Sequence, residues 1–366
     1  MSMDYRKKGE PYTRNDMVGL EYEGKYISAT VIMDAIELAV RKALSNHING
    51  KIRGLVVDDI LEKGEENGVI PLENEFFYKL PDVNPMDVLR GRNIVGVDGG
   101  AFSLRLHPLR IVIAKTAVYA LSMNSDRSFD IKDVWKFSVS ILRKNGNVVE
   151  QVRRKIKEVL VSLEASTIRE LAEEYSNIID IVIWDGPLYT RKFFNKFYTA
   201  IKSLVDRAII CIKIVKNPFS SWLSKTINLE SLSDADMLSY YLFPNMRTAM
   251  FLFDGKIVAN IPYDMKPVFF YVKTGQRVIV RYEFPYGLIE EYGKEEILRI
   301  ISADLQLGSG ISYVVSRADK IARFCDEEKR HIAYRIFIAF KKCGVTDLLM
   351  YNQLRWGRFL YRWGQG

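Results

Sequence analysis

Five apolar runs in the chain predict β-strands. The run at 93–98 is almost entirely apolar, which is typical of a central strand covered on both faces. The runs at 109–121 and 135–144 alternate between apolar and polar positions, which is typical of strands with one exposed face. Two further apolar runs, at 178–186 and 208–216, complete the set.

Two helical patterns separate the last three of these strands. Residues 148–175 carry apolar side chains at helical spacing, and residues 187–202 read as a basic and aromatic helix. Three consecutive strands favour an antiparallel meander, whereas strands joined by helices favour parallel pairing through right-handed crossovers. The predicted fold class is therefore α/β: an RNase H-like core with a mixed five-stranded sheet.

The segments on either side of this core have other patterns. A stretch with helical spacing and then a charged, turn-rich stretch predict an N-terminal helical arm over 1–88. The core domain is expected to span 89–345, with inserted hairpins at 249–261 and 268–284 and with helices toward its C-terminal end. Residues 346–366 are an aromatic and basic tail, which favours a protein interface or a buried terminal helix.

Composition and charge limit the partners and the sites. Lys and Arg outnumber Asp and Glu by 53 to 45, and the resulting net charge of +8 indicates a polyanionic partner. Three isolated cysteines and three histidines make a structural zinc site implausible and fit a reducing compartment. There is no apolar stretch long enough to span a membrane, and the first residues are polar and charged, so we expect a cytoplasmic protein.

Two of the predicted strands end in an aspartate that is followed by glycine. Asp98 lies in VGVDG and Asp185 in VIWDG, at the ends of the first and fourth strands. These strands are neighbours in an RNase H-like sheet, so the two carboxylates are expected to lie side by side. Asp98 also fits a second interpretation, because Asp-Gly is typical of a tight hairpin turn.

Two adjacent carboxylates point to a bound cation. They raise each other's pKa and destabilise the fold unless a cation shares them. Hard oxygen ligands favour Mn²⁺ or Mg²⁺, and two such ions in one carboxylate cluster hydrolyse phosphodiester bonds. The sequence therefore predicts a site for two divalent ions at this edge of the sheet.

Further acids are candidates to complete that site. Glu164 lies beside the apolar stripe of the 148–175 helix, with Glu170 as the fallback, although a glutamate at the margin of a stripe also extends to solvent. Asp319 is the fourth candidate. Ser316 and Asp319 also match a capping box at a helix start, a role that is compatible with metal ligation.

Several other polar residues have more than one interpretation. Lys213, inside the fifth strand, would pair with the acids, reach a phosphate or extend to solvent. Arg191 and Lys192 lie among aromatic residues and are candidates to contact nucleic acid, while those aromatics also fit a helix's core face. Asp236 is a secondary candidate ligand, and it also fits the first turn of a helix.

Four motifs in a fixed order are similar to those of the NurA nucleases, the archaeal and bacterial partners of the HerA hexameric translocase. VGVDGGAF and IVIWDGPL resemble the family's two Asp-Gly blocks, and a helical glutamate precedes the second block. SRADKIARF stands where the family has an Ala-Asp or Ala-His block. The order and the spacing agree over residues 90–330.

The resemblance implies a toroidal homodimer with Mn²⁺-dependent 5′–3′ exonuclease and single-strand endonuclease activity on DNA. In that family the dimer docks on HerA and takes part in DNA end resection during recombinational repair. Lys213 matches a lysine of the family, and the tail would contribute to docking on the translocase or across the dimer. The implied catalytic residues and metal ligands are Asp98, Glu164, Asp185 and Asp319.

The sequence departs from the family pattern at two places. Pro187 replaces a serine beside the second Asp-Gly block, and Ile311 stands at the position of a tyrosine. Tyr313 is a candidate to replace the aromatic contact with nucleic acid. These departures put substrate handling in question more than the metal site.

Two other functions fit part of the pattern. A catalytically weak structural subunit of the same complex would keep the acids without turnover. Actin-like ATPases and sugar kinases share the strand order and an Asp-Gly-Gly hairpin, but their second glycine-rich phosphate hairpin and adenosine-binding Gly-Gly segment are not found here.

Overall fold

The structure is a computed structural model, and it describes residues 60–344 except for 62–63, 65–67, 107–108, 124–131, 144–147, 227–231, 257 and 276–277. The described residues belong to the unit Val56–Gly366. The predicted tail and most of the predicted N-terminal arm lie outside the described residues.

In the described part of the chain, eleven strands form one mixed sheet. Their order is β1-β9-β10-β11-β7-β6-β3-β4-β5, and β8 pairs with β10 and β2 off this path. The strands are β1 Val69–Pro71, β2 Phe77–Lys79, β3 Asn93–Leu106, β4 Leu109–Ser122, β5 Lys132–Arg143, β6 Ile181–Asp185, β7 Ile210–Val215, β8 Met246–Thr248, β9 Phe251–Phe253, β10 Pro267–Lys273 and β11 Ile279–Pro285.

Nine α-helices accompany the sheet within the described residues. None of these helices is long and apolar enough to cross a membrane. They are α1 Pro85–Leu89, α2 Val148–Tyr175, α3 Phe194–Val205, α4 Trp222–Thr226, α5 Asp234–Tyr241, α6 Gly287–Tyr292, α7 Lys294–Leu307, α8 Tyr313–Ala322 and α9 Asp326–Lys342.

The predicted core is present. Strands β3, β4 and β5 form an antiparallel meander, and β6 and β7 add to β3 in parallel, so the order is β5-β4-β3-β6-β7. The helix α2 makes the crossover from β5 to β6, and α3 makes the crossover from β6 to β7. This is an RNase H-like α/β fold, as the hydrophobic pattern predicted.

The sheet continues beyond the five predicted strands. Strand β11 pairs antiparallel with β7, and β10 pairs with β11 as the hairpin predicted at 268–284. Strands β1 and β2, which lie inside the segment 1–88, join this side of the sheet through β9 and β8.

The hairpin predicted at 249–261 does not form. Among the described residues of this segment, only Phe251–Phe253 is a strand, and its partners are β1 and β10. Val258 and Ile261 lie in turns instead, with their side chains buried beside α2 and α3. Their apolar spacing therefore reflects burial in the core rather than strand pairing.

Different helices cover the two faces of the core sheet. On β6, Val182 and Trp184 pack in the apolar core that includes α2 and α3. Ile181 and Ile183, which alternate with them, pack in the core that includes α7 and α8. Because side chains alternate along a strand, each residue's position decides which of the two cores it enters.

Glycines on β3 let the helix α8 lie directly on the strand. A Cβ at Gly96 would be 2.3 Å from the backbone carbonyl of Val314, and a Cβ at Gly100 would be 2.0 Å from the carbonyl oxygen of Ala322. Asp98 lies between them and, by strand alternation, on the same face.

The substitution Gly96→Ala should destabilise the fold, because the new methyl group would push α8 off the strand. We expect a loss of about 1–3 kcal/mol in the free energy of unfolding, measured by urea denaturation. The control is Gly275→Ala, where the nearest atom to the added Cβ is a side-chain oxygen of Asn245 at an ordinary 3.5 Å. An unchanged midpoint for Gly96→Ala would contradict the close packing of α8.

Candidate active site

The parallel pairing of β3 with β6 brings Asp98 and Asp185 together. Val97 is opposite Trp184 in the register, so the next residue on each strand is an aspartate. The expectation that the first strand ends at Asp98, and the alternative of a tight hairpin turn there, are both wrong, because β3 continues to Leu106 and stays paired with β4. Asp98 is buried, with 6% of its surface exposed, whereas the side chain of Asp185 is 27% exposed. Each carboxylate also accepts a hydrogen bond from the backbone N–H of the glycine that follows it, Gly99 or Gly186.

Lys216 bridges the two carboxylates. Its Nζ lies 2.9 Å from Oδ2 of Asp98 and 3.1 Å from Oδ2 of Asp185. Lys216 directly follows β7, and sequence reasoning did not select it. The available signal was a lysine at the end of a buried strand next to the strand of Asp185.

Burial and repulsion both act on this acid pair. Burial, followed by the charge of Asp185, raises the pKa of Asp98 to about 6, although Lys216 opposes the shift. The pKa of Lys216 is raised as well, because the two carboxylates outweigh the effect of its burial. The pair therefore has a strong electrostatic preference for a cation between its members.

Glu164 on α2 approaches the same strand end from the other face of the sheet. Its Oε2 accepts a hydrogen bond of 2.9 Å from Nε1 of Trp184. Its Oε1 lies where a side chain on Gly99 would be, since a Cβ there would be only 2.5 Å away. Burial raises the pKa of Glu164 to about 7, against the opposing charge of Lys213.

Lys213 is fully buried beneath this edge of the sheet. Its ammonium donates to the backbone carbonyl of Asp185 at 2.8 Å and lies 3.2 Å from the centre of the Trp184 ring. Burial lowers the pKa of Lys213 to about 8, with Glu164 opposing the shift. The predicted contact with nucleic acid is not available to this side chain, because the protein surrounds it.

Asp319 is placed on α8 rather than in the acid pair. Its Oδ2 lies 2.5 Å from the guanidinium of Arg323, one turn later on the helix. The alternative interpretation of Asp319 as part of a capping box at Ser316 is wrong. The helix begins earlier, at Tyr313, and Ser312 is the residue that caps it.

The four predicted metal ligands do not converge on one point. Among the described residues, no three Asp, Glu, His or Cys side chains are placed to hold one ion. The Asp98–Asp185 pair nevertheless fits a divalent cation: its hard oxygen donors already share one positive charge, that of Lys216.

The secondary candidates lie in other settings. Glu170 forms an ion pair with Lys136 on β5. Asp236 is in the first turn of α5, where its backbone N–H and its carboxylate both bond to the hydroxyl of Ser233. This matches the helix-start interpretation of Asp236 rather than that of a ligand.

The predicted nucleic-acid contacts differ in exposure. Arg191 and Lys192 are exposed, in a short 3₁₀ turn that precedes α3. Tyr313 is half-buried at the start of α8, edge-on against Tyr119 with ring centres 5.9 Å apart.

The acids open into a groove of about 420 Å³. Two cations that sequence reasoning missed, Arg153 and Lys157, line it together with Asp98, Glu164 and Asp185. The signal for them was the helical period of α2, which places Arg153, Lys157 and Glu164 along one side of the helix. A larger cavity of about 810 Å³ lies near β8 and α7, and none of the four predicted ligands lines it.

Comparison with known proteins agrees with this fold. A family model described as the NurA domain matches residues 92–324. The structure is similar to the NurA nuclease from Sulfolobus solfataricus, with 13% identity, a TM-score of 0.54, and coverage of 86% of this chain and 98% of that chain. A second NurA structure has 11% identity, a TM-score of 0.51 and the same coverage of both chains.

A third structure, NurA with manganese, has 9% identity, a TM-score of 0.48, and coverage of 83% of this chain and 96% of that chain. No curated protein sequence matches the chain. The family model spans well over half of the chain, including β3 and β6, which carry Asp98 and Asp185, and the helix α8. The chain therefore belongs to the NurA domain family.

Proposed function

We propose that the protein is a metal-dependent nuclease that hydrolyses phosphodiester bonds of DNA. Hydrolysis would take place at the carboxyl end of β6, where Asp185 lies beside Asp98. The observation that carries this proposal is the sharing of one cation by two carboxylates on neighbouring strands, at the point where the pairing of β3 with β6 ends. Membership of the NurA family and the net charge of +8 support it.

Asp98 and Asp185 are the residues that would hold the metal. The proposal includes two ions, Mn²⁺ or Mg²⁺. When bound, they would activate the attacking water and stabilise the leaving oxygen. Lys213 holds the backbone of Asp185 by donating to its carbonyl oxygen. Trp184 orients Glu164 through its indole N–H. We include Glu164 and Asp319 as further catalytic ligands, which requires Asp319 to turn from Arg323 toward the pair.

The mode of action is part of the same proposal. It comprises 5′–3′ exonuclease and single-strand endonuclease activity, carried out by a homodimer with a HerA-type translocase during DNA end resection in the cytoplasm. Its basis is the family resemblance of the motifs around Asp98, Asp185 and Asp319. The exposed Arg191 and Lys192 and the half-buried Tyr313 are proposed DNA contacts.

A structural subunit with little turnover is the second candidate. One observation favours it: Asp319 is paired with Arg323 instead of joining the two aspartates. This candidate predicts a protein that binds the translocase and DNA but does not cleave.

Asp98→Asn and Asp185→Asn should each abolish cleavage of end-labelled single- and double-stranded DNA in Mn²⁺. We expect losses of more than about 100-fold, because even residues that only orient metal ligands change affinity or activity by about 10- to 100-fold. Asp236→Asn is the matched control, since this acid bonds to Ser233, the N-cap of its own helix, and lies outside the pair. Wild-type protein that stays inactive even with a HerA-type translocase would favour the structural subunit.

Mn²⁺ affinity should rise with pH, as measured by isothermal titration calorimetry on the purified protein. The pKa values of Asp98 and Glu164 are raised to about 6 and about 7, so both groups carry protons at low pH that a metal must displace. The affinity should therefore increase most between about pH 5 and pH 8. Glu164→Gln should remove the upper part of this change, and a flat profile for the wild type would contradict the ligand assignment.

A further inference from the structure

The groove beside the acids has two chemically different ends. Asp98, Glu164 and Asp185 lie at one end, and the exposed Arg153 and Lys157 also line it. On α2, Lys157 precedes Glu164 by seven residues, which is about 10 Å along a helix axis. The groove therefore offers positive charge at a fixed distance from the proposed cleavage point.

Arg153 and Lys157 are available to a ligand. They are four residues apart on α2, so their side chains are neighbours on the helix surface. The hydrogen bonds and ion pairs within the described part of the chain involve neither of them. By contrast, the nearby Lys155 pairs with Glu158, and Lys196 donates to Ser162.

The wall between the two ends of the groove is apolar. Ile156 and Leu160 of α2 line it together with Pro187, and all three are half-buried. A duplex exposes its backbone and the edges of its bases, and it keeps the flat faces of the bases stacked inside. A single strand also exposes the flat faces of its bases, which apolar and aromatic side chains bind. The combination of apolar wall and cations fits an unpaired nucleotide.

We propose that this groove binds one unpaired nucleotide next to the scissile phosphate, with its base against Leu160 and Pro187 and a flanking phosphate on Arg153 and Lys157. The proposal rests on the nuclease function proposed above and deepens it by assigning the side chains that hold a single strand at that site. Pro187 then has a role in place of the serine that the family pattern has there: its ring adds apolar surface to the groove.

Counterion release gives this proposal a quantitative test. Each cation that binds a phosphate of a single strand contributes about 0.7 to the slope of the logarithm of the binding constant against the logarithm of salt concentration. Arg153→Gln/Lys157→Gln should therefore lower the magnitude of that slope by about 0.7 for each phosphate that is no longer neutralised. The measurement is fluorescence anisotropy of labelled oligo(dT) in the presence of EDTA, so that the proposed metal-dependent cleavage does not enter the readout.

A matched variant separates local binding from net charge. Lys341→Gln/Lys342→Gln removes the same two charges from exposed positions at the end of α9, outside the groove. Its slope should stay within error of the wild type. Equal slopes for both double variants and the wild type would overturn the assignment of a phosphate to Arg153 and Lys157.

A second measurement tests the base contact. Wild-type protein should bind oligo(dT) several-fold more tightly than an abasic strand with the same number of phosphates, and Leu160→Ser should reduce that preference. A blunt duplex that competes as well as oligo(dT), and loses as much affinity in Arg153→Gln/Lys157→Gln, would overturn the assignment to a single strand.

The outcomes distinguish this proposal from the nuclease function. If Asp98→Asn abolishes cleavage while Arg153→Gln/Lys157→Gln leaves the salt slope unchanged, the nuclease stands and the subsite is wrong. If wild-type protein does not cleave but the double variant has a smaller slope, the nuclease is wrong and the groove still binds a single strand.

Discussion

The repulsion between two carboxylates on neighbouring strands is the constraint on which this site depends. Parallel pairing of β3 with β6 places Asp98 and Asp185 side by side. Burial of Asp98 removes its charge from water, which disfavours the ionised carboxylate. Lys216 meets that constraint with a single positive charge shared by both groups. A divalent cation would meet it with twice the charge, so the geometry that stabilises the lysine is also the geometry that favours a metal.

The second layer of the site is built from the opposite face of the sheet. Lys213 and Trp184 alternate with residues of the other core, so they reach the strand end from the side of α2 and α3. Lys213 holds the Asp185 backbone, and Trp184 holds Glu164. Glycine is needed at position 99, because only a residue without a side chain leaves room for Glu164 against β3.

Sequence patterns were most informative where burial is continuous along a segment. The five core strands and the helix α2 were predictable, since their apolar spacing follows directly from packing against one or two layers. The residues near 258 were misread because an apolar turn buried under helices has the same local composition as a short strand. Pairing of β1 and β2 with distant strands left no periodic signal in three-residue segments.

The amino-acid sequence by itself determined the RNase H-like core and the neighbouring positions of Asp98 and Asp185, because strand order and an aspartate directly after each apolar run suffice to place them. Only the tertiary structure decided which cation they share and where Lys213, Glu164 and Asp319 point. The physical reason is that a polar side chain selects its partner from all groups within reach in three dimensions. The spacing of residues along the chain indicates only the helix or strand on which such a side chain lies.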